Sequence, residues 1–305
     1  MKISQYVDMT YKELESLDRD TTVVFSSISP IETHGPHLPL GTDIFIAESL
    51  RDRIIEKFAE EHQDFTAVVL PTIPFGADAI PVAGSFTIGH QAIGRGVLDM
   101  GKALVDLGFR YWLLTDNHGG PSHEIAIEVA ARKLAKKGLC LIAPFHESFR
   151  RMISHDPDLT QKTGLGPGKC GDVTDSHAGT NETSLMLASD PDKVRDIGKQ
   201  TGAAKKSSMA FVPRLLSGIS QLFKAVGAQD AATDFYFLAH GLAWVGDPQM
   251  APYQGDPSKA SKEAGEAMYN YRRDLALELL EEAIEGRPRA LKPIGWSIRF
   301  VRHFV

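Results

Sequence analysis

Short apolar runs rich in β-branched residues alternate, through the first half of the chain, with longer stretches whose apolar residues recur every third or fourth position. The runs at 21–29 (TTVVFSSIS), 66–73 (TAVVLPTI), 110–115 (RYWLLT) and 139–145 (LCLIAPF) predict strands, and the stretches 43–61, 90–107 and 122–137 predict helices. This alternation predicts an α/β fold, a mostly parallel sheet with helices on both faces. In such sheets ligands bind outside the carboxyl ends of the strands. The rhythm breaks after residue 145. Residues 156–175 (DPDLTQKTGLGPGKCGDVTD) are rich in Gly, Pro, Asp and Thr and read as a long loop, of the kind that often serves as a lid. Helices are expected at 176–189 and 213–226, a last strand at 234–238, and a long helix over 258–285 with Ser258 or Ser261 as its cap. The expected organisation is a single domain over 1–285 with lid-like insertions near 145–175 and 200–235, then a C-terminal arm over 286–305.

Composition narrows the classes. A chain of 305 residues, 43% hydrophobic and 24% charged, can bury a core without cross-links. Its net charge of -6 lacks the basic footprint of nucleic-acid binding, so no nucleic-acid partner is expected. No run approaches the roughly 20 apolar residues that span a bilayer. The N-terminal MKISQYVDMTYKELESLDRD lacks a basic region followed by an apolar one. A cytoplasmic protein with no membrane partner is therefore expected. Cys140 and Cys170 lack metal-site spacing and read as free thiols in a reducing compartment. The tail at 293–305 (PIGWSIRFVRHFV) interleaves aromatic and basic residues and reads as a final strand or an arm packed on a neighbouring subunit.

The candidate chemistry sits in the loops. The first predicted strand runs into SPIETHGPHLPLGTD, which places Glu32, His34, His37 and Asp43 within 12 residues. Carboxylates mixed with imidazoles suit zinc, manganese or iron(II) rather than calcium. Glu32 and His34 are two apart, so in extended chain both face one side. Asp43 opens the next helix, where the helix dipole favours an anion, and its two oxygens allow it to bridge two ions. The third strand ends in TDNHGGPSHE, which puts His118 on the same sheet edge, with Asn117 able to hold a ligand or a neighbouring loop by its amide and Gly119 and Gly120 allowing close backbone approach. His123 and Glu124 fall inside the following helix and are expected at the surface, outside the site. In DSHAGTNETSLML, a helix starting near Gly179 puts Glu182 in its first turn. There it is either a ligand or the carboxylate of a capping box.

These motifs resemble the creatininase (creatinine amidohydrolase) family. The resemblance rests on ETHGPHLPLGTD at 32–43, NHGG at 117–120, HAGTNETSLML at 177–187 and GDP at 255–257, with a looser match in AGSFTIG at 83–89. It implies a three-layer α/β/α fold and a site for one or two divalent ions (Zn, Mn or Fe). In that site Glu32 and His118 bind one metal, His34 binds the other, and Asp43 bridges them. Creatininase carries a second glutamate where this chain has Gly120, which leaves Glu182 to supply the missing ligand, or the second site weak or different in kind. His177 matches the residue that looks like creatininase's proton-transfer histidine, so His177 and Asp43 are the expected catalytic pair. Asn117, Gly119, Ser85 and Thr87 are the expected substrate contacts. The resemblance also implies a homo-oligomer, often a hexamer. The aromatic residues that shape the creatinine pocket have no counterpart in the Gly-rich 156–175 segment.

The function expected is metal-dependent hydrolysis of a small polar substrate. In it, water lowered in pKa by the metal attacks a carbonyl, and His177 carries the proton to the leaving atom. A cyclic amide or formamide is the first expectation. A cyclic polyhydroxy diketone opened at a C–C bond is the second, and a metal-stabilised binding protein without activity is the alternative of another class.

Overall fold

The computed structural model describes residues 1–196, 202–205 and 207–293; the end of the expected C-terminal arm, 294–305, lies outside the described residues. Five strands form one sheet: β1 (Lys2–Gln5), β2 (Thr22–Ser27), β3 (Thr66–Val69), β4 (Tyr111–Thr115) and β5 (Cys140–Ile142). Their order is β1-β3-β2-β4-β5 and every pairing is parallel. The central pair is β2 with β4, in register from Val23 opposite Tyr111 to Ser27 opposite Thr115.

Period-two alternation in β2 distributes the core. Val23 and Phe25 join one buried cluster, packed by α2 (Thr42–Glu61), α5 (Pro144–Ile153), α7 (Thr180–Ser189) and α10 (Lys262–Ile284). Val24 and Ile28 join the other, packed by α3 (His90–Asp106) and α4 (Pro121–Ala135). Both faces of the sheet are thus covered, as the near-continuous apolar strands require, and the result is the three-layer α/β/α arrangement. Where α7 meets α10, a Cβ on Gly265 would stand 2.0 Å from the Ser184 carbonyl oxygen, so only glycine permits that approach. The chain leaves β2 for β3 on one side and β4 for β5 on the other. The carboxyl ends of β2 and β4 therefore flank the switch point, where such sheets form their crevice.

Three expectations need correction, and one strand was not predicted. The last predicted strand, 234–238, lies inside a helix, α9 (Gln229–Val245), which pairs with α8 (Phe211–Ala225); Phe223 stacks on Phe235 at 5.4 Å, and Ser220 Oγ donates to the Ala232 carbonyl at 2.7 Å. A short apolar run carries no period of its own, and the helix is held by its neighbour. The fourth strand is only Cys140–Ile142, because Pro144 stands in the first turn of α5. Part of the loop predicted at 156–175 is helical, α6 (Pro157–Thr163), capped by the Asp156 side chain. The edge strand β1 has no strong apolar pattern to reveal it, and Ile3 is 52% exposed. A short helix, α1 (Tyr11–Glu15), follows it. Both cysteines are free. Among the described residues no helix is long and apolar enough to cross a membrane.

Candidate metal centre

The loop after β2 is held to the sheet by Ile28 N–H donating to the Thr115 carbonyl and Ser29 N–H to that of Ile73. It closes on itself where Glu32 N–H donates to Leu40 O at 2.9 Å. Gly35, at φ +65°, makes the turn between His34 and His37. The loop delivers Glu32 and His34 to the crevice, and α2 then starts with Asp43 in its first turn. His118 arrives from the end of β4 and Glu182 from the first turn of α7. All five are buried, none more than 7% exposed.

Their ligand-type atoms form two triads, Glu32–Asp43–His118 and His34–Asp43–Glu182, which share Asp43. His118 Nδ1 lies 3.0 Å from Glu32 Oε2 and 3.6 Å from Asp43 Oδ2; His34 Nε2 lies 3.3 Å from Asp43 Oδ1 and 3.6 Å from Glu182 Oε2. Atoms bound to one tetrahedral ion at about 2.1 Å stand about 3.4 Å apart, so these spacings fit a common cation. Three of the inward atoms, Glu32 Oε2, Asp43 Oδ2 and His34 Nε2, have no hydrogen-bond partner among the described residues despite full burial. Each imidazole turns its other nitrogen to a carbonyl: His34 Nδ1–H donates to Glu32 O at 3.0 Å and His118 Nε2–H to Ala77 O at 2.7 Å. That fixes the tautomers that leave the inward nitrogens bare, as metal-ligating histidines require.

The electrostatics ask for a cation. Burial alone would strip charge from these groups. Yet the Asp43 and Glu182 carboxylates raise His34 to about 10, and Glu32 and Asp43 raise His118 well above its usual range. The same pairings hold Glu32 and Asp43 low against their burial, while burial pushes Glu182 up. Three carboxylates converge on two imidazoles, and the protons held there stand where positive charge is needed.

His177 completes the pocket. Its Nε2–H donates to Thr33 O at 2.7 Å, its ring stacks tilted on His34 at 4.3 Å, and Trp244 covers it at 5.3 Å. A third ligand-type group joins it to Glu32 and His34. Burial and the nearby His34 hold it down at about 4, so it is neutral. His37 turns away, its Nε2 3.0 Å from Thr183 Oγ1. Ser85 Oγ accepts from Thr33 N–H at 3.1 Å and so braces the His34 loop, while Thr87 is exposed on the same segment. Gly119 lies under Phe149, 2.9 Å from where its Cβ would be. A cleft of about 420 Å³ runs along Trp244, with Met209, Tyr236, Lys205 and Gln254 among its walls.

Sequence reasoning missed the support behind these groups. Asn117 Nδ2 donates to Asp43 Oδ1 at 3.0 Å and to Glu182 Oε1 at 2.8 Å, and its Oδ1 accepts from Arg272 Nη1 at 2.7 Å. Arg272 is 1% exposed; the available signal was an arginine inside the apolar stripe of Met268, Leu275 and Leu279 on the last helix. Asp116 Oδ1 accepts from the N–H groups of Asn117 and His118, and from Ser29 Oγ. His123 and Glu124, expected at the surface, are buried. In the first turn of α4, His123 meets Asp116 and Glu124 meets His146, so polar partners inside the fold hold both.

The model of the creatininase family, described as creatinine amidohydrolase, matches residues 7–280. The chain belongs to the creatininase family. It is 28% identical over 214 residues, 68% of this chain and 73% of the relative, to the mycofactocin precursor peptide peptidase of Mycolicibacterium smegmatis. Its fold is that of a mutant creatininase of Zn-Zn type (TM-score 0.61, 18% identity, 91% of this chain and 97% of that one). It matches equally a creatininase described with Mn (TM-score 0.59, 19% identity, 91% and 98%). Like other members of the creatininase family, the chain is a metal-dependent hydrolase.

One departure from the creatininase pattern has a steric basis. A Cβ on Gly120 would stand 2.4 Å from Ala77 O and 2.5 Å from His118 Nε2, so this position cannot carry a side chain in the present arrangement. Glu182 stands with His34 and Asp43 instead. Its Oε2 also accepts from the N–H of Ala178, the residue before the N-cap Gly179, at 2.5 Å, so ligand-type placement and a hold on the turn ahead of the helix coexist in one residue.

Proposed function

We propose that the chain hydrolyses a C–N bond of an amide, with divalent cations held by Glu32, Asp43 and His118 and by His34, Asp43 and Glu182. The observation that carries this reading is the pair of buried triads sharing Asp43, with unpartnered inward atoms. When bound, such cations supply Lewis acidity, lowering the pKa of a water and polarising a carbonyl. The rest falls to the chain itself. His177 has Nε2 committed to Thr33 O, so its Nδ1 is the nitrogen that takes a proton and returns it to the leaving nitrogen. Trp244 keeps bulk water from that ring. Asn117 orients Asp43 and Glu182 together.

The names of the family and of the peptidase relative both describe amide cleavage, which favours C–N over C–C chemistry. Cyclic amides and formamides are the substrates of first choice, and the cleft beside Trp244 gives room for a larger flank. Zinc and manganese are the metals of first choice, after the structural neighbours. The test is to strip the protein with a chelator and reload it with Zn²⁺, Mn²⁺ or Fe²⁺. Amine release is then followed from cyclic amides, formamides and short peptides. Turnover that needs metal and disappears in Asp43→Ala is expected. A protein that takes up no metal at all removes the reading.

A further inference from the structure

Among the described residues Arg272 is a buried cation without a carboxylate in direct contact. It donates to Asn117 Oδ1 at 2.7 Å and Asn181 Oδ1 at 3.5 Å, approaches Met152 Sδ at 3.8 Å and lies over the Phe145 ring at 5.4 Å. Its Nε has no hydrogen-bond partner among the described residues. A guanidinium in such a place is costly unless something nearby repays its desolvation. The acidic groups that attract it are Tyr269, Glu182, Asp43 and Asp116, and Asn117 bridges it to Glu182 and Asp43.

The geometry of Asn117 gives that path a direction. A free amide can present either its oxygen or its nitrogen to the centre. Arg272 offers only donors, so it holds the Asn117 oxygen on its own side. The NH₂ then faces the centre and gives one hydrogen to Asp43 Oδ1 and the other to Glu182 Oε1. Asp43 is held through Oδ1 and turns Oδ2 toward His118, while Glu182 is held through both oxygens, Oε1 by Asn117 and Oε2, which faces His34, by the Ala178 N–H.

We propose that Arg272 is a positioning residue of the metal centre, acting through Asn117 to hold Asp43 and Glu182 in the orientation that completes the His34 triad. The proposal rests on the metal-binding reading above. It deepens that reading by tying the second triad, which lacks a side chain at Gly120, to a residue of the last helix.

The test is a double-mutant cycle read by Zn²⁺ titration of chelator-stripped protein: wild type, Arg272→Met, Asn117→Ala and the double variant. Each single change is expected to weaken one of two binding steps about 10–100-fold, as losses behind metal ligands do. The double variant is expected to bind no worse than Asn117→Ala, because Arg272 reaches the ligands only through that amide. Wild-type titrations in the single variants, or losses that multiply in the double, overturn the proposal. Wild-type protein that takes up no Zn²⁺ removes the functional reading itself, a distinct outcome. If Arg272→Met does not fold, Asn117→Asp carries the test. Its carboxylate satisfies the buried guanidinium but offers no hydrogens to Asp43 and Glu182, so unchanged or tighter Zn²⁺ binding overturns the proposal.

Discussion

His123 Nε2 lies 3.0 Å from Asp116 Oδ2, and both residues are out of solvent. The other ring nitrogen accepts from Ala77 N–H at 3.3 Å, and the carbonyl of that same residue accepts from His118. Ala77 is thus gripped through both its backbone groups, by a supporting histidine and by a ligand-type one. His123→Ala is expected to cost about 1–3 kcal/mol by leaving buried polar groups unpaired. It is also expected to weaken metal at the His118 triad by about tenfold or more. Urea unfolding and metal titration read the two effects; wild-type values in both would reduce His123 to space filling.

The contrast between His123 and His34 shows what was legible in the sequence. His34, Glu32 and Asp43 lie close along the chain in a Gly- and Pro-rich loop after a strand, and that local density marks them. The parallel sheet was legible from β2, β3 and β4, whose apolar runs are buried on both faces. Arg272 was not, because Asn117, Met152 and Asn181 lie 155, 120 and 91 residues away and no local pattern encodes such contacts. The 234–238 run misled for a related reason. Its residues are only half-buried or exposed, and the contacts that hold it, Phe235 on Phe223 and Phe237 on Phe149, come from other helices, beyond the reach of a short window.

Gly120 marks the place where a side chain is excluded. Gly120→Ala introduces a Cβ within 2.4 Å of the Ala77 carbonyl oxygen and 2.5 Å of His118 Nε2. Backbone must move, and the expected cost is about 1–3 kcal/mol, the usual range for overpacking. Because the displaced groups orient His118, metal affinity should fall as well. A variant with unchanged melting temperature and unchanged metal uptake would show that loop 76–80 yields freely.

Glu124 and His146 form a buried pair, Oε2 to Nδ1 at 2.8 Å, and His146 Nε2–H donates to the Lys292 carbonyl at 2.6 Å, which ties the chain after α10 to the core. Burial pushes His146 down, but Glu124 more than offsets it and holds His146 above 6.5; burial pushes Glu124 above 4.5. Both shifts make the folded state bind more protons than the unfolded one. The stabilisation they give is complete below 4.5 for Glu124 and below 6.5 for His146, and is lost as pH rises through each raised value. Wild type minus His146→Gln, in urea unfolding from about pH 5 to 9, should therefore decline with pH, by at most about 1.4 kcal/mol per unit for each proton involved. A flat difference would show that the pair does not titrate with folding.

Glu182 joins two roles that a single substitution separates. Its Oε2 accepts from Ala178 N–H at the start of α7 and stands 3.6 Å from His34 Nε2, while its Oε1 accepts from Asn117. Glutamine has nearly the same shape but one acceptor oxygen, where Glu182 meets two donors. Glu182→Gln keeps an acceptor for one of these donors but turns its NH₂ on the other, so the metal-free variant is expected to fold with a loss of about 1–3 kcal/mol. It loses the negative charge that the His34 triad offers a cation, and the other triad, Glu32–Asp43–His118, is untouched. Metal titration is expected to show one step preserved and the second weakened by about 10–100-fold or more, since even losses behind the ligands reach that size. Thermal unfolding supplies an independent reading. Saturating metal stabilises a folded protein by about 2.7 kcal/mol at a hundred times Kd, so the variant should gain less from added metal than wild type does. Two unaltered steps together with an unaltered gain would leave Glu182 only a brace for the turn at Ala178, and would return the second site to His34 and Asp43 without it.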